Sequence, residues 1–261
     1  MTTVAILTDV HMREDQQTAV TETLQTIRGR LEQEDPEHVF VLGDLIQDSD
    51  NSATDRDQIA RVADLLDGVS VTYLLGNHDT VTLSRTEIAD LLGQSTFRGS
   101  RDVAGTQFVY LDTQRSDHRV LGELGRDQRE WLAETVQPGA VVLLHHPVGP
   151  FPIQENHWFW DAPARAFLGD QQATLDTICP AARATVSGHI HQTSAVRHRD
   201  VAHLSVNAIS KEHPDRPVSG HWALLDLDRP LTAELFTGDA HRQTVRLASL
   251  EDIEHVTRGV E

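Results

Sequence analysis

Five short segments collect the residue types that hold metal ions: Asp9-Val10-His11, Gly43-Asp44, Gly76-Asn77-His78-Asp79, His145-His146-Pro147 and Gly188-His189-Ile190-His191. A D-x-H or H-x-H spacing where a strand ends projects two ligands toward one ion. A carboxylate at the tip of a middle strand can bridge two. Mixed carboxylate, imidazole and carboxamide donors suit Mn, Fe, Zn or Co better than Ca, which prefers oxygen alone. Each segment by itself is more often structural. All five in one chain, each closing an apolar run, form a joint signal, and the 15 histidines of the chain reinforce it.

The elements that must position these residues can be read from periodicity. Apolar runs at 4–8, 38–42, 69–75, 106–111, 140–144 and 184–187 predict buried strands, and the ligand motifs follow five of them. Helical spacing marks 18–31, 59–66, 126–135 and 171–178, and Ser84 with Glu87 forms a capping box for a short helix reaching Leu92. After residue 191 the texture turns to strands, at 201–205, 222–226 and 232–236. This α/β alternation predicts sheets covered by helices, with the carboxyl ends of strands gathering remote residues into one cavity. Gly43, Gly76 and Gly188 allow the backbone to turn and approach closely there. Residues 1–240 read as one domain and 241–261 as a closing helix or tail.

Composition narrows the partners. The formal net charge is −18 and Lys211 is the only lysine. Without a basic stripe the surface repels nucleic-acid polymers and anionic membranes. No stretch approaches the roughly 20 apolar residues of a membrane span, and MTTVAILTDVH lacks the features of a secretory signal, so a cytoplasmic location is expected. Cys179, the single cysteine, excludes an intrachain disulfide and a cysteine-based zinc site, and reads as a small apolar filler. An acidic, lysine-poor chain fits a halophilic source; a GC-rich genome is the other explanation.

The five motifs, in this order, resemble the calcineurin-like metallophosphoesterases, whose pattern is D-x-H, GD, GNH-[DE], H and GH-x-H. The resemblance spans roughly residues 3–226. It implies a four-layer αββα sandwich with two divalent or trivalent metal ions at the sheet ends. Carried over, the pattern sets Asp9, His11, Asp44 and His191 around one ion. Asp44, Asn77, His145 and His189 surround the other, with Asp44 bridging. Of the adjacent pair, His145 takes the ligand position and His146 a supporting or substrate-facing one. The family chemistry is attack of a metal-bridging hydroxide on phosphorus. His78 matches the histidine that contacts phosphate, as proton donor or electrostatic stabiliser, with Asp79 orienting its ring. Asp79 replaces the glutamate of the protein phosphatases, and Gly43-Asp44-Leu45-Ile46 lacks their arginine-containing extension. LTDVH and SGHIHQ look most like the class III cyclic-nucleotide and glycerophosphodiester phosphodiesterases.

The implied reaction is hydrolysis of a small phosphodiester. A phosphomonoesterase or nucleotide pyrophosphatase using the same site is the alternative, and a scaffold without catalysis the reading from another class. The segment 151–160 (FPIQENHWFW) is either a substrate wall, with Trp158, Phe159 or Trp160 stacking on a substrate, or a homodimer contact or simple packing; His157 is a substrate contact or a loop residue. Asp112 reads as a turn. His118, His198, His203, His213 and His221 lack ligand spacing, Asn207 follows a late strand near the cavity, and Asp48, Asp50, Asp55 and Asp57 read as a solvated loop and helix start. Halophily makes one prediction: thermal stability rises from low to molar KCl, as screening relieves self-repulsion. A steady fall in melting temperature over that range overturns it.

Overall fold

The computed structural model describes residues 2–114, 120–228 and 230–251. The chain runs β1 (Thr3–Leu7), α1 (Gln17–Glu34), β2 (His38–Val41), α2 (Ser52–Leu65), β3 (Val71–Tyr73), α3 (Arg85–Leu92), β4 (Gly99–Val103), β5 (Thr106–Tyr110), α4 (Arg126–Thr135), β6 (Val141–Leu144), α5 (Gln171–Ile178) and β7 (Ala184–Ser187). Strands then predominate: β8 (Ser194–His198), β9 (Val201–Ser205), β10 (Ser210–His213), β11 (Arg216–Val218), β12 (His221–Asp226), β13 (Thr232–Thr237) and β14 (Ala240–Arg246).

Two six-stranded sheets result, ordered β14-β13-β12-β1-β2-β3 and β4-β5-β6-β7-β9-β8. Within them β1, β2 and β3 are parallel, as are β5, β6, β7 and β9. Side chains alternate between faces with the strand period of two. Val4, Ile6, Phe40 and Leu42 point between the sheets and meet Phe108, Val141, Leu143 and Val186 of the second sheet. Phe40 and Phe108 stack there with ring centroids 5.2 Å apart. On the opposite face Ala5, Leu7, Val39 and Val41 pack under Val20, Leu24, Ile27 and Leu31 of α1 and Ile59 and Val62 of α2. Val142 and Leu144 of β6 likewise pack under α4 and α5 through Leu132, Leu175 and Ile178. The layers are therefore helix, sheet, sheet, helix, the αββα sandwich that the motifs implied.

The capping box is formed: Ser84 Oγ accepts from Glu87 N, and Glu87 accepts from Ser84 N. α2 starts earlier than its apolar spacing suggests, at Ser52, because Asn51 caps it by accepting from Ala53 and Thr54 N–H. Where the sequence suggested a closing helix or tail from 241, β14 instead pairs antiparallel with β13 along residues 240–246. Its exposed, polar residues hide the strand alternation. Residues 252–261 lie outside the described residues. Among the described residues no helix is long and apolar enough to cross a membrane.

His38 on β2 is buried between two hydroxyls, its Nδ1 2.9 Å from Ser70 Oγ and its Nε2 2.8 Å from Thr72 Oγ1. Burial, with Arg101 nearby, holds its pKa down at about 4. A histidine kept neutral in the fold takes up its proton first in the unfolded chain. Stability therefore declines as pH falls from about 6.5, the unfolded value, toward 4. His38→Asn should flatten the pH dependence of melting temperature over that window; an unchanged slope would contradict this reading.

Candidate metal centre

The centre forms where β1, β2 and β3 of one sheet and β6 and β7 of the other deliver their carboxyl ends. The loops after β1 and β2 continue side by side beyond the sheet, through Asp9 N–H to Gly43 O at 3.1 Å and His11 N–H to Asp44 O at 3.0 Å. Asp9, His11, Asp44, His189 and His191 all adopt positive φ, between 44° and 69°. Such backbone is costly for non-glycine residues and persists where surrounding structure overdetermines it, commonly at functional sites. The flanking glycines are sterically required. A Cβ on Gly76 would collide with the Asp44 carboxylate, and one on Gly188 with the Thr8 hydroxyl and the Asp9 carboxylate.

Two buried groups of donor atoms converge: Asp9, His11, Asp44 and His191, and beside them His145, His146 and His189, the atoms of each group within 4.8 Å of one another. Asp44 lies between them. Its Oδ2 is 3.6 Å from His11 Nε2 and 3.5 Å from His145 Nε2, while Oδ1 accepts from the His78 backbone N–H. Asn77 Oδ1 lies 3.4 Å from His145 Nε2. Asp9 Oδ2 accepts from Thr8 Oγ1, both its oxygens share the His189 N–H at 3.0 and 3.3 Å, and Oδ1 also faces His191 Nε2 at 3.3 Å.

The histidine hydrogen bonds decide which nitrogens are bare. A carbonyl can only accept, so a ring nitrogen beside one must carry its proton. His145 donates from Nδ1 to Leu42 O, His189 from Nε2 to Arg165 O and His191 from Nδ1 to Lys211 O, at 2.8–2.9 Å. In the neutral ring the other nitrogen of each then offers a lone pair to the cavity, the usual way a protein orients a metal-binding imidazole. His11 Nε2 approaches His191 Nε2 to 3.0 Å, and His11 Nδ1 is buried without a partner. His146 differs. Its Nε2 donates to Val120 O and its Nδ1 meets Thr113 Oγ1 at 2.8 Å, so neither nitrogen is bare and it props the loops beside the site.

Electrostatics agree with a cation-binding purpose. Burial, with His145 adjacent, holds His189 down at about 3, the neutral form a ligand needs. Burial alone would lower His145 as well, yet the Asp44 carboxylate lifts it to about 9. The cavity around Asp44 thus draws positive charge to itself. The donor set, its bare nitrogens and the orphaned His11 Nδ1 fit two metal ions.

Two expectations change. Asp79 does not orient the His78 ring. Its carboxylate accepts from the backbone N–H groups of Leu45, Ile46 and Gly76, tying the β2 and β3 loops together, while burial and the neighbouring Asp44 push its pKa up to about 7. The His78 ring instead meets Asp48, with Nδ1 2.5 Å from Asp48 Oδ1 and 3.0 Å from Gln47 Nε2. Asp48 therefore is not simply part of a solvated loop, and neither is Asp55, which is buried and accepts from Ser49 and Thr82.

A cavity of about 220 Å³ opens over the centre, bordered by His78, Trp158, Phe159, Arg165 and Lys211. The segment 151–160 divides its labour. Phe151, Ile153 and Phe159 pack with Ala166 and Ile190, Trp158 reaches the cavity, and Trp160 is exposed. Asn156 fastens the segment to the ligand loop by donating to Ile190 O at 2.7 Å. His157 packs its ring against Trp158 and His213, away from the cavity lining. Asp112 closes a turn and pairs with Arg85, Asn207 binds the Ala208 N–H, and His118 lies outside the described residues. Arg165 and Lys211 escaped sequence reasoning; the rarity of lysine in this chain was the available signal for Lys211.

A family model described as calcineurin-like phosphoesterase matches residues 2–193. No curated protein matches the sequence. Among solved structures, a dimetal phosphatase from Danio rerio superposes with a TM-score of 0.75 at 16% identity, covering 94% of this chain and 99% of that one. GAP50, the anchor in the inner membrane complex of Plasmodium, gives 0.61 at 11% identity over 96% and 90%. The purple acid phosphatase PPD1 of yellow lupin (Lupinus luteus) gives 0.58 at 15% identity over 93% of this chain and 53% of its own. At these identities the likeness is one of fold.

Gly76→Ala should weaken Mn²⁺ binding at least tenfold, the scale expected when a ligand's support is disturbed, because the new methyl displaces the Asp44 carboxylate. Calorimetric titration, with circular dichroism confirming the fold, measures it; binding as tight as the parent's would refute the crowding argument.

Proposed function

Given that this chain belongs to the calcineurin-like phosphoesterase family, whose members bind two metal ions, we propose that it hydrolyses a small phosphodiester. Asp9, His11, Asp44 and His191 would hold one ion, and Asp44, Asn77, His145 and His189 the other. The observation that carries this reading is the position of Asp44 Oδ2, 3.6 Å from a nitrogen of one group and 3.5 Å from a nitrogen of the other. When bound, such ions acidify a water for attack on phosphorus and neutralise the phosphoryl oxygens.

The chain's own residues supply orientation and a proton path. Asp48 fixes the His78 ring through Nδ1, which leaves Nε2 for the cavity that His78 borders. A histidine so placed can donate to the departing alkoxide oxygen or polarise a phosphoryl oxygen. Trp158 and Phe159 form an aromatic wall on one side, and Phe159 packs its ring 4.9 Å from His189, steadying it. Arg165 and Lys211 bring positive charge to the rim, where the substrate's anionic oxygens must enter. An opening bordered by both aromatic and cationic groups accommodates a phosphate substituted on either side, which supports the diester reading alongside the LTDVH and SGHIHQ motifs.

Turnover of bis-p-nitrophenyl phosphate by Mn²⁺-loaded protein, compared with p-nitrophenyl phosphate, tests the assignment. Faster release from the diester is expected; hydrolysis of neither would end the phosphoesterase reading. His78→Ala should lower kcat by about 10²–10⁴-fold while both ions stay bound. Asp48→Asn should reduce kcat by a smaller factor, roughly tenfold. Equal kcat values for Asp48→Asn and the parent would exclude Asp48 from the proton path.

A further inference from the structure

We propose that Lys211 makes this centre selective for phosphoesters whose alcohol portion carries a second anionic group, received in a cavity beside the metal pocket. The inference rests on the phosphoesterase reading and adds to it the class of substrate.

The residue does two separable things. Its carbonyl accepts the Nδ1–H of His191, and its side chain turns back over the pocket. Lys211 adopts φ of 62°, a conformation rare for a long side chain, in β10 where the strand pairs irregularly with β11. Nothing in this backbone obliges the side chain to stay at the protein. Lysine ordinarily sends its ammonium to water. Here the side chain is largely buried, the Nζ donates to Gln47 Oε1 at 2.5 Å, and it sits 5.4 Å from the centre of the Trp158 ring. Among the described residues no carboxylate forms an ion pair with it. In a chain with a net charge of −18, the single lysine is thus held partly desolvated on neutral partners beside a phosphoester pocket. Three carboxylates act on it electrostatically from a distance: Asp44 and Asp9, which face the candidate ion sites, and Asp48, which meets His78.

Lys211 and Trp158 also belong to a second cavity of about 350 Å³, which Arg13, Asp15, Gln47, His213 and Pro217 help to line. The two residues are therefore a shared wall between the metal pocket and this neighbour. Arg13 adds charge; its pairing with Asp15 at 3.1 Å engages a carboxylate that is 73% exposed and so well screened. Lys211 and Arg13 outnumber the one lining carboxylate, the largely exposed Asp15, and Trp158, Pro214 and Pro217 supply an aromatic and prolyl surface. That combination suits an anionic group on a planar or apolar body, linked through the wall to the phosphate at the metals. A cation–π contact and a neutral amide hold the ammonium in place without neutralising it, which leaves its charge for the ligand.

A matched pair of diesters isolates the effect: thymidine 5′-(p-nitrophenyl phosphate) and the same compound bearing a 3′-phosphate. Both release p-nitrophenol from the same diester. The parent protein should favour the 3′-phosphorylated ester by roughly tenfold or more in kcat/KM, the scale of one charge-assisted contact. Lys211→Met, which keeps the stem over Trp158, should abolish most of that preference, and Lys211→Arg should restore it in part. The ratio of the two substrates is the readout, because a general loss of activity or of metal does not move it. A ratio near one in the parent, or one equal in parent and Lys211→Met, overturns the proposal while leaving the phosphoesterase reading intact. Should neither ester turn over, calorimetry with thymidine 3′,5′-bisphosphate and thymidine 5′-monophosphate decides: tighter binding of the bisphosphate that Lys211→Met removes upholds the proposal, and equal binding refutes it.

Discussion

Carboxylate oxygens and imidazole nitrogens crowd together at the centre of this molecule. Asp44 Oδ2 stands 3.6 Å from His11 Nε2 and 3.5 Å from His145 Nε2, all three side chains buried, and His11 meets His191 nitrogen to nitrogen at 3.0 Å. Three of the rings are fixed from behind, since Leu42, Arg165 and Lys211 each accept a ring N–H. With their remote nitrogens committed, these rings cannot swing away to relieve the crowding. Positive charge in their midst, whether the proton that Asp44 holds on His145 or a bound cation, makes such an arrangement favourable. The rest of the architecture can be understood as what is needed to hold these acceptors in place.

Holding them takes both sheets. The layer of Phe40, Phe108, Val141, Leu143 and Val186 between the sheets brings the tips of β1, β2 and β3 opposite those of β6 and β7. At the tips the geometry is finished by backbone strain, with five of the candidate ligands at positive φ. Asp79 then ties the loops from within, its two oxygens shared among three backbone N–H groups. Strand burial supplies the free energy, and the loops concentrate the cost where the chemistry is. That division is common for functional sites carried on rigid scaffolds.

Much of this was legible in the sequence because the strongest signals were the local ones. The helices at 126–135 and 171–178 coincide with α4 and α5, and the buried runs that end in the five motifs are strands β1, β2, β3, β6 and β7. The edge strands β4, β8 and β14 were not legible. Stretches such as Gly99-Ser100-Arg101-Asp102 and His241-Arg242-Gln243-Thr244 are exposed and polar, so their alternation carries no hydrophobic contrast. At the site, residue types and spacing located the candidate ligands but not their supports. Nothing in a linear pattern distinguishes Asp48, which meets His78, from Asp79, which meets backbone. The difference arises only when the β2 and β3 loops lie side by side. Lys211 is similar: twenty residues beyond His191 in sequence, it returns to the cavity only because β10 crosses beneath the 151–160 segment, where Trp158 Nε1 donates to its carbonyl at 2.9 Å.

Neither sheet carries every donor proposed for either ion. Asp9, His11 and Asp44 leave from one sheet while His191 leaves from the other, and His145 and His189 look back across the seam toward Asp44 and Asn77. A chain whose sheets have not yet docked therefore offers a cation only part of each donor set. A cation bound by donors from both sheets would act as a rivet across the seam, stronger in the docked fold than in either half.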